Sequence, residues 1–543
     1  MSWNIRRTPT LDRRQLLAGV AITAVLAGCA KGGSSSPTAT SAAGSAGADS
    51  GKDIDVVTVA LPGSLSSLYP GQEAGILNYN VSNLFYQGLV GVDSAGKVIP
   101  ALATKWTQPK PTTYVFDLAS GVKFSDGTEL TAKDVKFSLD QAKDAKASPG
   151  IASYMSNVKD VAISGDQQVT ITLAKPDPAF LKLMSTAGAA FITSEAFWTK
   201  VGGKTGTSSS LVVGTGPYQV TSFQPDSGMK LERNTHWSGT APKAKSIEIK
   251  FIADQNTRLL AAKSGGVDIA FNVPLDQVAQ WKAISGERVV AVNDLSYVGL
   301  NFDTRVSPFN DPKVREAFSY SVDRDAIVAK LLHGYGQTAT AMMTPESLAA
   351  AYTPQEAKEV LETVTHQSYD MAKAKAALAA SSHAQGFTAE LTYPNTGPQL
   401  GLAAQSLAQN LKTIGITLSV KEVPIDQWLA TIGDKTHGVS FMWYFSTTGD
   451  PAEVPSYLLG EGNPSGYSNA QVASLLDQAS QASDPKTRIA DLIKAESIQA
   501  TDVVNAPLWW GQSVTAFSDK VAIKNFGAFS FSSDWGSAIY APQ

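Results

Sequence analysis

A single cysteine, Cys29, and five histidines are all the thiol and imidazole chemistry that 543 residues offer. Without a second thiol there is no intramolecular disulfide, so stability has to come from a large apolar core. His236, His333, His366, His383 and His437 are scattered without metal-ligand spacing, and no HExxH occurs. No metal site and no cofactor are expected. After the first thirty residues no apolar run reaches the ~18 residues needed to cross a bilayer. The formal net charge is −4 with both signs spread along the chain, which leaves no basic stripe for nucleic acid or anionic lipid. Enzyme signatures are equally sparse. Ser120-Gly121-Val122-Lys123 and Ser156-Asn157-Val158-Lys159 fit the SxxK pattern of penicillin-recognising enzymes, and Lys204-Thr205-Gly206 fits their KTG element. No SxN triplet intervenes, there is no GxSxG, and Ser120 follows a strand instead of opening a helix. An extracellular cell-wall hydrolase therefore has no visible catalytic carrier, and the chain reads as a non-enzyme.

What is present begins with Cys29. It follows Leu26-Ala27-Gly28 at the end of an apolar stretch that starts at Leu16, with Arg13 and Arg14 just upstream. Small Ala27 and Gly28 suit a signal-peptidase pocket, and a freed Cys29 can carry acyl chains that partition into a bilayer at roughly 0.8 kcal/mol per buried CH₂. Residues 1–29 thus read as a lipoprotein signal with a twin-arginine-like start, although a Sec n-region is basic in the same way. Export to the outer face of the cytoplasmic membrane, with lipid on Cys29 as the anchor, is the expectation. Residues 30–52 are nearly all Gly, Ser, Ala and Thr, a flexible tether. The remaining stretch of about 490 residues is too long for one core and suits two or three domains.

Periodicity locates two α/β units. Ile247 to Ile252 is a β-branched run, Gln255 to Ser264 has helical spacing, Val267 to Ala270 is a short strand, Leu275 to Ile284 a second helix and Arg288 to Val292 a third strand. A second unit combines a strand at Phe387 to Tyr393, a helix at Gln399 to Ile414 with Leu402, Leu407 and Leu411 inward, and a strand at Ile416 to Glu422. Parallel strands need a covering helix layer, so each unit nucleates its own lobe, and two lobes imply a cleft. Between Tyr86 and Val212 short alternating strands such as Tyr114 to Leu118 and Gln168 to Leu173 suggest a separate α+β insertion. Helices near Gln471 to Gln481 and Pro485 to Ala500 precede an aromatic tail.

An ordered series of short motifs runs through the mature chain: Tyr86-Gln87-Gly88-Leu89, Pro100-Ala101-Leu102-Ala103, Lys105-Trp106, Gly121-Val122-Lys123-Phe124-Ser125-Asp126-Gly127, Thr131-Ala132-Lys133-Asp134-Val135, Gly214-Thr215-Gly216-Pro217-Tyr218, Val314-Arg315 and Asp323-Arg324. In this order they resemble the extracytoplasmic solute-binding proteins of peptide and nickel ABC importers, solute-binding protein family 5. The resemblance implies an α/β, bilobal periplasmic-binding-protein-like fold of type II, the large peptide-binder class, with an extra α+β insertion domain. It divides the chain into a first domain of three segments (53–85, 213–295 and 505–543), an insertion domain (86–212) and a third domain (296–504). It further implies a monomeric receptor that captures a peptide, an oligopeptide above all, by hinge closure and delivers it to ABC permease subunits. An oligosaccharide or other neutral solute is the alternative ligand. Closure is expected about strands near Val213 to Val220 and Val289 to Leu300.

The candidate ligand site is the aromatic strand end Phe441-Met442-Trp443-Tyr444-Phe445 with the turn Ser446-Thr447-Thr448-Gly449-Asp450-Pro451. Rings at a strand terminus face the crevice of an α/β lobe. Trp443, Tyr444, Phe445, Ser446 and Asp450 are the first candidates, and Tyr297 and Asn301 the second tier. Trp428, Trp509 and Trp510 read equally as wall or core. Dipeptide-binding members of the resembling family carry an amine-binding aspartate where this chain has Ser446, and an arginine for the peptide carboxylate, whereas no arginine occurs here between Arg324 and Arg488. Uncompensated charges are costly to bury, so extended or neutral ligands are expected over dipeptides with free termini.

Overall fold

The computed structural model of the protein describes residues 46–543, and Cys29 with most of the tether lies outside them. A nine-stranded sheet organises this part of the chain. Ala244–Phe251, Ile269–Ala270 and Glu287–Phe302 are strands, joined through helices Gln255–Lys263 and Val278–Lys282 as the periodicity predicts. Asp254 opens the first of these helices by accepting the Thr257 N–H at 2.7 Å. The three strands are not neighbours. Ile54–Leu61 inserts between the first two, parallel to both. Asn505–Ser518 inserts between the last two and runs antiparallel to them. Gly228–Arg233 and Tyr218–Gln224 extend one side of the sheet, and Val439–Phe445 pairs with Glu287–Phe302 on the other.

Two of these strands are long, 16 residues for Glu287–Phe302 and 14 for Asn505–Ser518. Paired together, they cross from one apolar core to another. Val290 and Phe517 pack with Val57, Tyr218 and Ile247 in the first lobe. Val298, Leu300, Ala506 and Leu508 pack with Phe309, Phe318, Leu391 and Leu407 in the second. The ladder between the two strands breaks between Asn293 and Tyr297, where Leu295 adopts a φ of 60°. Such an irregularity bends a strand locally. Val289 to Leu300 spans it, and Val213 to Val220 runs into the edge strand Tyr218–Gln224. Gly214 is pressed on the Phe85 carbonyl, leaving no room for a side chain, and Tyr218–Gln224 is the outer edge of the sheet. The partner strand at the irregularity is Asn505–Ser518.

In the segment between, Ala103–Lys110, Thr113–Leu118, Gln168–Leu173 and Val158–Gly165 form a four-stranded antiparallel sheet with helix Ala132–Lys143 packed on it. The helix begins at Thr131, whose N–H donates to Asp134 Oδ2 at 3.0 Å. Tyr114, Phe116 and Leu118 alternate inward and join the core of the first lobe. In the second lobe, Thr388–Pro394 and Thr417–Val423 pair in parallel across helix Pro398–Lys412. Leu400, Leu407 and Leu411 face inward, but Leu402, expected with them, is 45% exposed, because Leu400 and Ala404 take the inward stripe. Order at the N-terminal end begins before Asp53: the Ser50 N–H donates to the Ala541 carbonyl and the Gln543 N–H to that of Ala48, both at 2.9 Å. Among the described residues no helix is long and apolar enough to cross a membrane.

Candidate ligand-binding site

Strand Val439–Phe445 alternates its side chains between two environments. Trp443 packs on Gly397 and against Phe445, ring centroids 5.2 Å apart, on the face that carries Phe441 into the core. Tyr444 points the other way and meets Tyr457 at 5.3 Å between ring centroids. Tyr457 belongs to helix Glu453–Leu459, which starts just after the Gly449-Asp450-Pro451 turn. This strand-turn-helix connection folds the first residue of the helix back beneath the strand end.

That residue is Glu453. Its Oε2 accepts the Ser446 hydroxyl at 2.6 Å and the Thr448 hydroxyl, and its Oε1 accepts the Tyr444 hydroxyl at 3.3 Å. No cation among the described residues forms an ion pair with it, and burial pushes its carboxyl above the ordinary carboxylate range while the Ser446 and Thr448 hydroxyls pull it back. Asp450 stands otherwise. Arg488, from helix Pro485–Asp502, grips it with both forks at 2.6 and 2.7 Å, and the two side chains are only 9% and 10% exposed. Its charge is spent inside the protein.

The opposite wall comes from the first lobe. Tyr154 is 46% exposed and Tyr457 44% exposed, yet burial raises the pKa of each, and Glu453 adds to the effect on Tyr154. Asp177 and Lys182 stand on the same wall: burial raises the first and lowers the second, and Asp450 and Arg488 act on both. The Lys182 ammonium lies 5.4 Å from the centre of the Phe529 ring. Phe529 in turn touches Gly449 so closely that no Cβ fits there, which brings the turn of one lobe onto the tail of the other. At the rim Lys175 Nζ reaches Asp477 Oδ1 at 3.6 Å.

Of the residues expected from sequence, Tyr444 and Ser446 converge on Glu453, Trp443 and Phe445 are half-buried beside them, and Asp450 serves as the partner of Arg488. Tyr297 is wholly buried with Met342, Met442 and Leu458, and Asn301 is buried and accepts the Ser465 hydroxyl at 2.5 Å. Their strand has neighbours on both sides, and Asn301 borders a small cavity lined also by Asp303, Asp434, His437 and Ser440. Trp428, Trp509 and Trp510 are core residues, the last donating its indole N–H to the Ala341 carbonyl at 3.1 Å. A carboxylate stands at Ser446, supplied by Glu453 from the following helix, and the arginine of this lobe, Arg488, is taken up by Asp450. Tyr154, Asp177, Lys182, Glu453, Tyr457 and Arg488 escaped the sequence reading, because only the folded chain brings them together.

Residues 97–466 match the family described as bacterial extracellular solute-binding proteins, family 5. The glutathione-binding protein GsiB of Escherichia coli (strain K12) is 29% identical over 462 residues, covering 81% of this chain and 87% of the relative. The ABC transporter-associated periplasmic binding protein DppA from Helicobacter pylori, solved with the peptide STSA, has a TM-score of 0.78 at 24% identity, covering 91% of this chain and 99% of that one. The oligopeptide-binding protein AppA from Bacillus subtilis, solved with a nonapeptide, has a TM-score of 0.75 at 20% identity, covering 91% and 100%. These likenesses establish the fold as the α/β, bilobal, periplasmic-binding-protein-like architecture that the sequence implies.

Proposed function

The chain belongs to the bacterial extracellular solute-binding proteins of family 5, and from that premise we propose that it is the receptor of an ABC importer that captures a peptide between its lobes and passes it unaltered to the permease. The observation that carries this reading is Glu453. It is a half-buried carboxylate beside accessible Tyr154 and Tyr457, held by hydroxyls and without an ion pair to any described residue. A peptide amine supplies that cation, and the tyrosines supply apolar faces and hydroxyls for a peptide backbone. The name of the Escherichia coli relative, a glutathione-binding protein, points to the same ligand class. A neutral oligosaccharide leaves Glu453 uncompensated, and Trp443, the ring best suited to stack on a sugar, is half-buried against Gly397 and Phe445.

In this reading the first domain (53–85, 213–295 and 505–543) and the third (296–504) close about the interrupted pair Glu287–Phe302 and Asn505–Ser518, and the insertion (86–212) contributes Tyr154, Asp177 and Lys182. The receptor acts as a monomer on the outer face of the membrane, held there by lipid on Cys29. Mass spectrometry of the protein purified without denaturation tests the reading. A peptide retained by the native protein and released intact on denaturation supports it. A bound sugar, or turnover of added peptide, contradicts it.

A further inference from the structure

Resting on the reading of the cleft as the peptide site, we propose that Lys182 binds a carboxylate of the ligand, so that the solute is a short peptide with a free carboxylate as well as a free amine. The other charged groups near this point are hydrogen-bonded within the protein. Arg488 and Asp450 hold one another through two hydrogen bonds, Glu453 accepts three hydroxyls, and Asp177 accepts the Ala179 N–H at 2.9 Å. Lys182 has none of this. It is half-buried, forms no ion pair and donates no side-chain hydrogen bond to any described residue, and its ammonium lies 5.4 Å from the centre of the Phe529 ring.

An aromatic face stabilises an ammonium without using its hydrogens. All three N–H donors of Lys182 therefore stay available while the ring fixes where the charge sits. The ring is itself immobilised, because Phe529 lies against Gly449 of the facing lobe. A carboxylate is the group that uses such a site best: it accepts more than one of the three donors and cancels the charge in a place where water is scarce. Burial already lowers the pKa of Lys182, and an anion brought to it reverses that shift. Phe529 joins Lys182 to Gly449, and the neighbouring Thr448 donates its hydroxyl to Glu453, so the amine and carboxylate subsites share one cleft. Two opposite ligand charges so placed belong to a short peptide, whose carboxylate is either terminal or on a side chain.

The test is titration calorimetry with five probes: tri-alanine and penta-alanine with free termini, the C-terminal amide of each, and reduced glutathione. Wild-type protein is compared with Lys182→Met, which keeps the apolar stem, and with Lys182→Arg, which keeps the charge. On the wild type, a free acid should bind at least tenfold more tightly than its amide. Lys182→Met should bring the free acids and glutathione down at least tenfold while leaving the amides unchanged, and Lys182→Arg should restore much of the loss. Circular dichroism melts confirm that each variant is folded. Equal binding of acid and amide by the wild type, or equal weakening of both by Lys182→Met, overturns the role of Lys182 alone. Absence of binding by every probe overturns the peptide reading together with it.

Discussion

Ser446 donates its hydroxyl hydrogen to the Glu453 carboxylate at 2.6 Å, closing a loop of chain in which a strand end turns into a helix. The pair puts a carboxylate at the end of the aromatic strand without an acidic residue in the strand or its turn facing that point. Glu453→Gln should therefore weaken peptides with a free amine by tenfold or more in calorimetry. The N-acetylated form of the same peptide should bind wild type and variant alike. The substitution is tolerated because its neighbours are hydroxyls, which accept from an amide as readily as they donate. Equal loss for both peptides would mean that the carboxylate shapes the site without meeting an amine.

Glu496 makes stability depend on pH. It is fully buried, accepts the Met342 and Met343 N–H groups at 2.7 and 3.1 Å, and is pushed by burial from 4.5 to about 7. Between these values the native state keeps a proton that the unfolded chain has released, so the contribution of Glu496 to stability is greatest below pH 4.5, falls as pH rises toward 7 and then levels off. The loss attributable to this residue is roughly 3 kcal/mol. Glu287, also raised to about 7 by burial, acts with the same sign but is partly exposed and contributes less. Urea midpoints of the wild type at pH 5 and pH 8 should show the fall. Glu496→Gln should start lower, since one backbone N–H loses its acceptor, and fall less.

The rim pair Lys175 and Asp477 spans the two lobes with both side chains about two-thirds exposed, at 64% and 66%. Such a pair is worth about 0–1 kcal/mol, and reversing one charge replaces attraction with repulsion of similar size. Lys175→Glu should weaken ligand binding roughly threefold at low salt. The difference should vanish near 1 M salt, where the screening length is about 3 Å. Persistence of the loss at high salt would mean that Lys175 contributes by some route other than its charge.

Reading residues 1–29 as a lipoprotein signal makes Cys29 the expected site of membrane attachment. Cys29→Ala should accumulate as uncleaved precursor or appear as shed protein, without radiolabelled palmitate. Label retained by the variant would refute lipidation at this position.

The elements were legible where local pattern decides them. Ile247 and Ile249 alternate inward in a strand, Thr131 and Asp134 open a helix, and Trp443 and Tyr444 face opposite ways, all as periodicity requires. Pairing over long distances was not legible. Nothing near Asn505 signals that Asn505–Ser518 lies between Ile269–Ala270 and Glu287–Phe302. The same limit governs the site. Tyr297 looks like a cleft residue from its strand, and only the fold shows that it is wholly buried. Arg488 and Asp450, 38 residues apart, read separately as a helix residue and a turn residue, and only folding makes them one ion pair.

Small-angle scattering of the protein with and without the peptide it retains tests capture by closure most directly. The lobes are joined by a pair of strands whose ladder breaks between Asn293 and Tyr297, and the cleft residues meet across that joint. Saturating peptide should reduce the radius of gyration, and washing it out should restore the larger value with the peptide chemically unchanged. A scattering profile that stays the same at saturation would contradict closure and show a rigid binder.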